Sequence, residues 1–347
     1  MKAKEWSVLG LGIIFLSTIS FPQSAHAQAT KKPEKIAYKD GDGKWQFLAI
    51  KDIESRPEPK YPRTVKTAGV TFNFLYADVT QNTNVGFDDP VYGADRQATL
   101  EAVVSYFSSL LQETGQCDVE VALSQTDGTG PLASGGPYYF ATPGFEPGLS
   151  FRHITTGTDP LPGTADMRLT VDFGYTYNND TGPVGPSEVD LFSLLLHEMT
   201  HGLGFGTLIS STGASQLGSN VYSVYDSYLY RSGGTAGAGL RLINPNTFTF
   251  QALVSDLTSG QIEFRGGAAV AAFGDFVPVY SPSPWDGSSL AHWADGLTPE
   301  PVMARALGTG VEKRTYQPYE LGALVDLGYH LRQAQLSVPP EIWTKLK

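Results

Sequence analysis

His197-Glu198-Met199-Thr200-His201 sets two imidazoles four residues apart with a carboxylate beside them, and the run continues directly into Gly202-Leu203-Gly204. On a helix, residues four apart project from one face. The two rings can therefore grip one zinc ion (Zn2+) while Glu198 handles the proton of a water molecule. That is the core of a zinc hydrolase site. A catalytic zinc takes three protein ligands and keeps a fourth position open, so one more group has to come from elsewhere in the chain.

Of the six histidines, His26 falls in the leader and His330 stands beside Tyr329 in the expected last helix, which leaves His153 and His292. Gly204 lies where a chain leaving the zinc helix must turn sharply, a place suited to positive φ. A ligand following at once would put histidine or aspartate at position 207, and the residue there is Thr207. The third ligand is thus either delivered after an insertion or absent. Asp190 and Ser193 fall on the histidine side of the helix, as outer partners of the site or as a solvated face. Asp326 buttresses a ligand or caps a helix. Tyr316 and Tyr319 could stabilise an oxyanion, with nothing in their spacing to select either.

The helix that carries the pentad has a marked start. Ser187 follows Pro186 and has Asp190 three residues on, which predicts an N-cap with a capping-box-like partner. At about 100° per residue, Val189, Phe192, Leu195, Leu196, Met199 and Leu203 gather on one side and His197 and His201 lie nearly opposite. Core stripe and metal face are therefore separate.

Around this helix the pattern predicts an α+β fold. Residues 70–76 read as a strand, Ala94 to Glu113 as a long amphipathic helix, Asp118 to Leu123 as a second strand, and Ser150 to Ile154 and Asp166 to Phe173 as further strands. These make an N-terminal catalytic lobe over 67–206, a mostly β layer backed by the zinc helix. Residues 207–347 make a C-terminal lobe: a Gly/Ser/Tyr-rich insertion over 207–291 and a last helix from Tyr316 to about Gln333, with Leu321, Leu324, Val325 and Leu327 on or near its buried side. Residues 28–66, rich in Lys, Pro, Asp and Gly, read as a loose leader, linker or propeptide. That segment has no cysteine with which to cap a zinc. Its Asp40-Gly-Asp-Gly lacks the later ligands of a calcium loop and reads as a hairpin turn.

Downstream of the pentad, His292-Trp293 is followed by Glu300-Pro-Val-Met303-Ala304 and then by Asp326-Leu-Gly-Tyr329. His-Glu-x-x-His-x-x-Gly, a long insertion, His-Trp, a Glu-x-x-Met-Ala turn and a final helix together resemble the leishmanolysin branch of the metzincin zinc metallopeptidases and its secreted bacterial relatives. The likeness covers roughly residues 67 to 335 in order of elements and three short blocks in residues. It implies a metzincin-like zincin fold, zinc ligands His197, His201 and His292, the general base Glu198, and Met303 in a turn beneath the metal. The many cysteines of the eukaryotic members are missing, which separates this chain from their C-terminal structure and mode of activation.

Composition sets the context. Lys2 and Lys4 precede an apolar run from Val8 to about Phe21, and Ala25-His26-Ala27 supplies small residues for a cut after Ala27, the pattern of a secretory signal in residues 1–27. The run is shorter than the roughly twenty apolar residues of a membrane span, so no stable anchor is expected. A net charge of −11 argues against nucleic acid and against an anionic membrane surface. Cys117 is the only cysteine, so no intrachain disulfide forms, and its alternating strand-like setting predicts a buried thiol. The expected function is a secreted metalloendopeptidase acting on protein or peptide substrates through a water activated by Glu198. The rival reading is an inactive zincin-fold module serving in adhesion or glycan and protein binding, and the retention of Glu198 tells against it.

Overall fold

A computed structural model describes residues 33–40, 43–218, 220–233 and 239–332. The signal expected in residues 1–27 lies outside the described residues. The fold is mixed α and β. Its main sheet has five strands in the order Arg63–Val65, Thr71–Tyr76, Gln116–Val121, Met167–Val171 and Ala133–Pro137. The three middle strands run parallel, and the two edge strands pair antiparallel to them. Thr71–Tyr76 alternates buried and half-buried positions, as a strand with one face on the core requires.

The helix Gly93–Leu110 makes the crossover between the first two parallel strands and buries Leu100, Val103, Val104, Phe107 and Leu110, a 3.6-residue stripe. The pentad helix, Leu191–Gly202, packs against this helix and against the edge strand Ala133–Pro137. One cluster of buried apolar side chains runs from Val70 to Leu331 and takes in residues on both sides of position 207. Cys117 is buried and free.

Several expectations need correction. Residues 150–154 are not a strand: Leu149–Thr156 is a helix, set off by Gly148 at φ 92 and Gly157 at φ 68. Its buried residues, Leu149, Ser150, His153 and Ile154, follow helical spacing that a short apolar run conceals. The pentad helix is capped by Asp190, not Ser187, with the Asp190 carboxylate accepting from the Ser193 N–H. Val189 and Asp190 are held extended by a parallel pairing with Tyr177 and Asn178, so helical geometry starts only after them. The last helix is shorter than expected, Pro318–Asp326, with Gln317 and Glu320 forming its capping box; the turn at Gly328 (φ 108) comes directly after it, before His330.

The segment expected to be loose is folded. Lys35–Lys39 and Trp45–Ala49 form an antiparallel hairpin, with the Lys44 N–H on the Asp40 carboxylate at its turn, and Ile36 and Ala37 are fully buried. Lys35–Lys39 also pairs with Tyr139–Phe140. The insertion holds a four-stranded antiparallel sheet and the helix Gly267–Phe273, which packs on the last helix. Among the described residues no helix is long and apolar enough to cross a membrane.

Candidate metal centre

Three histidines from distant parts of the chain converge. His197 and His201 come from the pentad helix and His292 from the loop before Trp293. Their Nε2 atoms lie 3.1 Å (His197 to His201), 3.2 Å (His197 to His292) and 3.3 Å (His201 to His292) apart. Each Nδ1 meets a backbone carbonyl: Val302 for His197 at 2.8 Å, Phe205 for His201 at 2.6 Å, and Ser288 for His292 at 2.8 Å.

A carbonyl oxygen can only accept, so every Nδ1 carries the proton and every Nε2 presents a lone pair. Three lone pairs thus face one point with no hydrogen between them. Such an arrangement is repulsive unless a cation takes the centre. The spacing matches the edge of a tetrahedron whose ligands stand about 2.0 Å from its middle, the length of a zinc–imidazole bond. The donor set and its geometry fit Zn2+.

Burial keeps the rings neutral. It lowers His197 to about 3 and His292 to about 4, and it drives His201 well below the ordinary imidazole value, with the neighbouring rings adding to the effect at His197 and His201. Glu198 is buried too, which pushes its carboxyl up to about 8, against the opposing pull of the Gly135 N–H and the Lys39 charge. Gly135 belongs to the edge strand, and a Cβ there would stand 2.3 Å from the Glu198 carbonyl oxygen. Only glycine lets that strand come close enough to hold the carboxylate. Gly204, at φ 98, turns the chain out of the helix as expected.

His292 is delivered by a buried anchor. Trp293 is fully buried against Phe205, Phe264 and Tyr319, and its backbone N–H donates to the Met303 carbonyl at 3.0 Å. Met303 is itself fully buried. The turn it sits in is tied to the last helix: the Glu320 carboxylate accepts the N–H groups of Val302 at 3.1 Å and Met303 at 2.8 Å.

The other candidates lie elsewhere. His153 is buried with its Nδ1 2.7 Å from Asp166, beside Asp118, in a separate group of polar side chains. Burial opposes its protonation, but the bond and charge of Asp166 prevail and raise it. Thr207 donates to Asp226 at 2.6 Å and so pins the start of the insertion. Asp190 takes a bidentate ion pair from Arg314 at 2.6 and 2.9 Å, and Ser193 accepts the Lys313 N–H, so both brace the helix start and neither touches a histidine ring. Asp326 caps the helix Gly267–Phe273 through the Ala268 and Ala269 N–H groups. Tyr316 hydrogen-bonds Thr200, and neither Tyr316 nor Tyr319 reaches the cleft.

The cleft over the three histidines has a volume of about 1350 Å³, with Gly135 and its strand along one side. Lys39, from the segment expected to be loose, also lines it, which sequence patterning does not predict. Glu320 is legible in the sequence as a capping-box residue three after Gln317, but not as the holder of the Met303 turn. No known protein family matches the chain, and no curated protein or solved structure does either.

Proposed function

We propose that the chain is a zinc-dependent endopeptidase of the leishmanolysin-like metzincin kind, exported by way of the signal pattern in residues 1–27. The observation that carries this reading is the convergence of three Nε2 lone pairs, each fixed by a carbonyl on its Nδ1, beside a buried carboxylate in an open cleft. His197, His201 and His292 would hold the metal. Bound there, zinc supplies Lewis acidity, polarising a carbonyl and bringing the pKa of a water toward about 7.

The remaining work belongs to the chain. Glu198, oriented by the Gly135 N–H, takes a proton from the attacking water and returns it to the nitrogen of the departing amine. Ala133–Pro137 is an edge strand that lines the cleft, so an extended peptide finds backbone groups to pair with there, which favours peptide over other substrates.

The test is hydrolysis of casein or gelatin by the purified chain, with loss of activity in a chelator and return on adding zinc. Binding of zinc at one per chain with no hydrolysis of any protein substrate would favour the adhesion module instead.

A further inference from the structure

Four cations line the cleft among the described residues, and three of them are paired: Arg168 with Glu120 at 2.5 Å, Lys313 with Glu300 at 2.9 Å and Arg305 with Asp295 at 3.1 Å. Lys39 is not. Among the described residues its ammonium makes no hydrogen bond and no ion pair, and it faces the Trp45 ring, whose centroid lies 5.4 Å away. The acids of the cleft accept hydrogen bonds from groups other than Lys39. Asp127 accepts from Thr129, Asp286 from Tyr280, Ser288 and Ser289, and Glu198 from Gly135.

Lys39 is not placed there by a loose tail. It ends a strand whose Ile36 and Ala37 are fully buried, it pairs with Trp45 across the hairpin, and the Trp45 indole N–H donates to Gln216 of the insertion at 2.8 Å. The backbone is therefore fixed, and the residue is half-buried at the wall of the cleft. Glu198 acts on that cation through its charge and not through a hydrogen bond, so an incoming anion can still add a charge-assisted hydrogen bond.

We infer that Lys39 forms a subsite for a substrate carboxylate, either a free C-terminus or an Asp or Glu side chain, seated in the cleft on the hairpin side of Glu198. The subsite sets which peptides are taken. The inference rests on the peptidase reading for what happens to the bound peptide, and not for the binding itself.

The test uses two pairs of otherwise identical fluorogenic peptides, one pair with a free or amidated C-terminus and the other with an internal Asp or Asn. The zinc-loaded full chain is expected to favour the carboxylate of one pair by about tenfold in kcat/KM, mainly through KM. The pair that responds identifies the source. Lys39→Arg keeps most of the ratio, and Lys39→Met brings it to about one. The same pairs are titrated by calorimetry into the full chain held in chelator, where turnover stops and the preference should persist. A preference in calorimetry together with no cleavage of either pair by the zinc-loaded chain overturns the peptidase reading and leaves the subsite standing. Equal handling of both pairs by the wild type, or an unchanged ratio in Lys39→Met, overturns the subsite.

Discussion

The Nδ1 of His197 donates to the carbonyl of Val302 at 2.8 Å, a bond that joins the pentad helix to the methionine turn across 105 residues. The N–H groups of Val302 and Met303 in turn donate to Glu320. His197 is thus oriented, through the Val302 carbonyl, by a carboxylate on the last helix. Removing Glu320 leaves two buried donors unpaired, at a cost of about 1–3 kcal/mol each, and loosens the carbonyl that fixes His197. Glu320→Ala is expected to lower zinc affinity by about 10–100-fold and to unfold at a lower denaturant concentration. Glu320→Gln, which keeps one acceptor oxygen, should fall between. Wild-type zinc affinity in a folded Glu320→Ala chain would remove the link.

Glu198→Gln keeps the shape of the side chain and an oxygen for the Gly135 N–H, but it cannot accept the proton of a water. Zinc content is expected to stay at one per chain while hydrolysis drops by about 10²–10⁴-fold. Metal analysis and casein turnover on the same preparation check both halves. Full turnover in the glutamine variant would mean that another group moves the proton.

His292→Ala removes one of three converging lone pairs and should cost most of the zinc affinity. His153→Ala should leave that affinity untouched, because His153 is bonded to Asp166 in a different polar group. Competition with a chromophoric chelator reads both variants. The reverse result would move the third ligand back to His153.

The acid range gives an independent check. A solvent-exposed imidazole is half protonated near pH 6.5, so a surface cluster of three would release zinc steeply below that value. Here burial lowers all three rings, His292 to about 4 and His197 to about 3. With lowered values, the neutral ligand form is present above the ordinary value and is kept until the pH falls through the lowered ones. Zinc affinity should therefore change little between about pH 7 and 5 and be lost only toward about pH 4 and below. A steep loss centred near pH 6.5 would show that the rings are not shielded.

Much of the candidate site is legible in the sequence itself. His197, Glu198 and His201 follow from spacing on one helix, and the glycine exit from φ. The departures have physical causes. Asp190 takes the capping role in place of Ser187 because it is held by the ladder to Asn178 and by Arg314, contacts with residues far away in sequence. The helix Leu149–Thr156 reads as a strand because a run of five residues is too short to separate a period of 2 from one of 3.6. Residues 33–66 lack periodicity, yet Ile36 and Ala37 are buried there by strands and loops of the later chain.

What the sequence alone determined is the local part: a helix with two imidazoles and a carboxylate at fixed offsets, because a helix turns by the same angle wherever it occurs. The meeting of His292, rather than His153, with the helical pair, the carbonyl that sets the His197 tautomer, the role of Glu320 and the presence of Lys39 in the cleft were decided by tertiary structure. Each depends on contacts between residues tens to hundreds of positions apart, and packing of the whole core, not any local rule, brings those residues together.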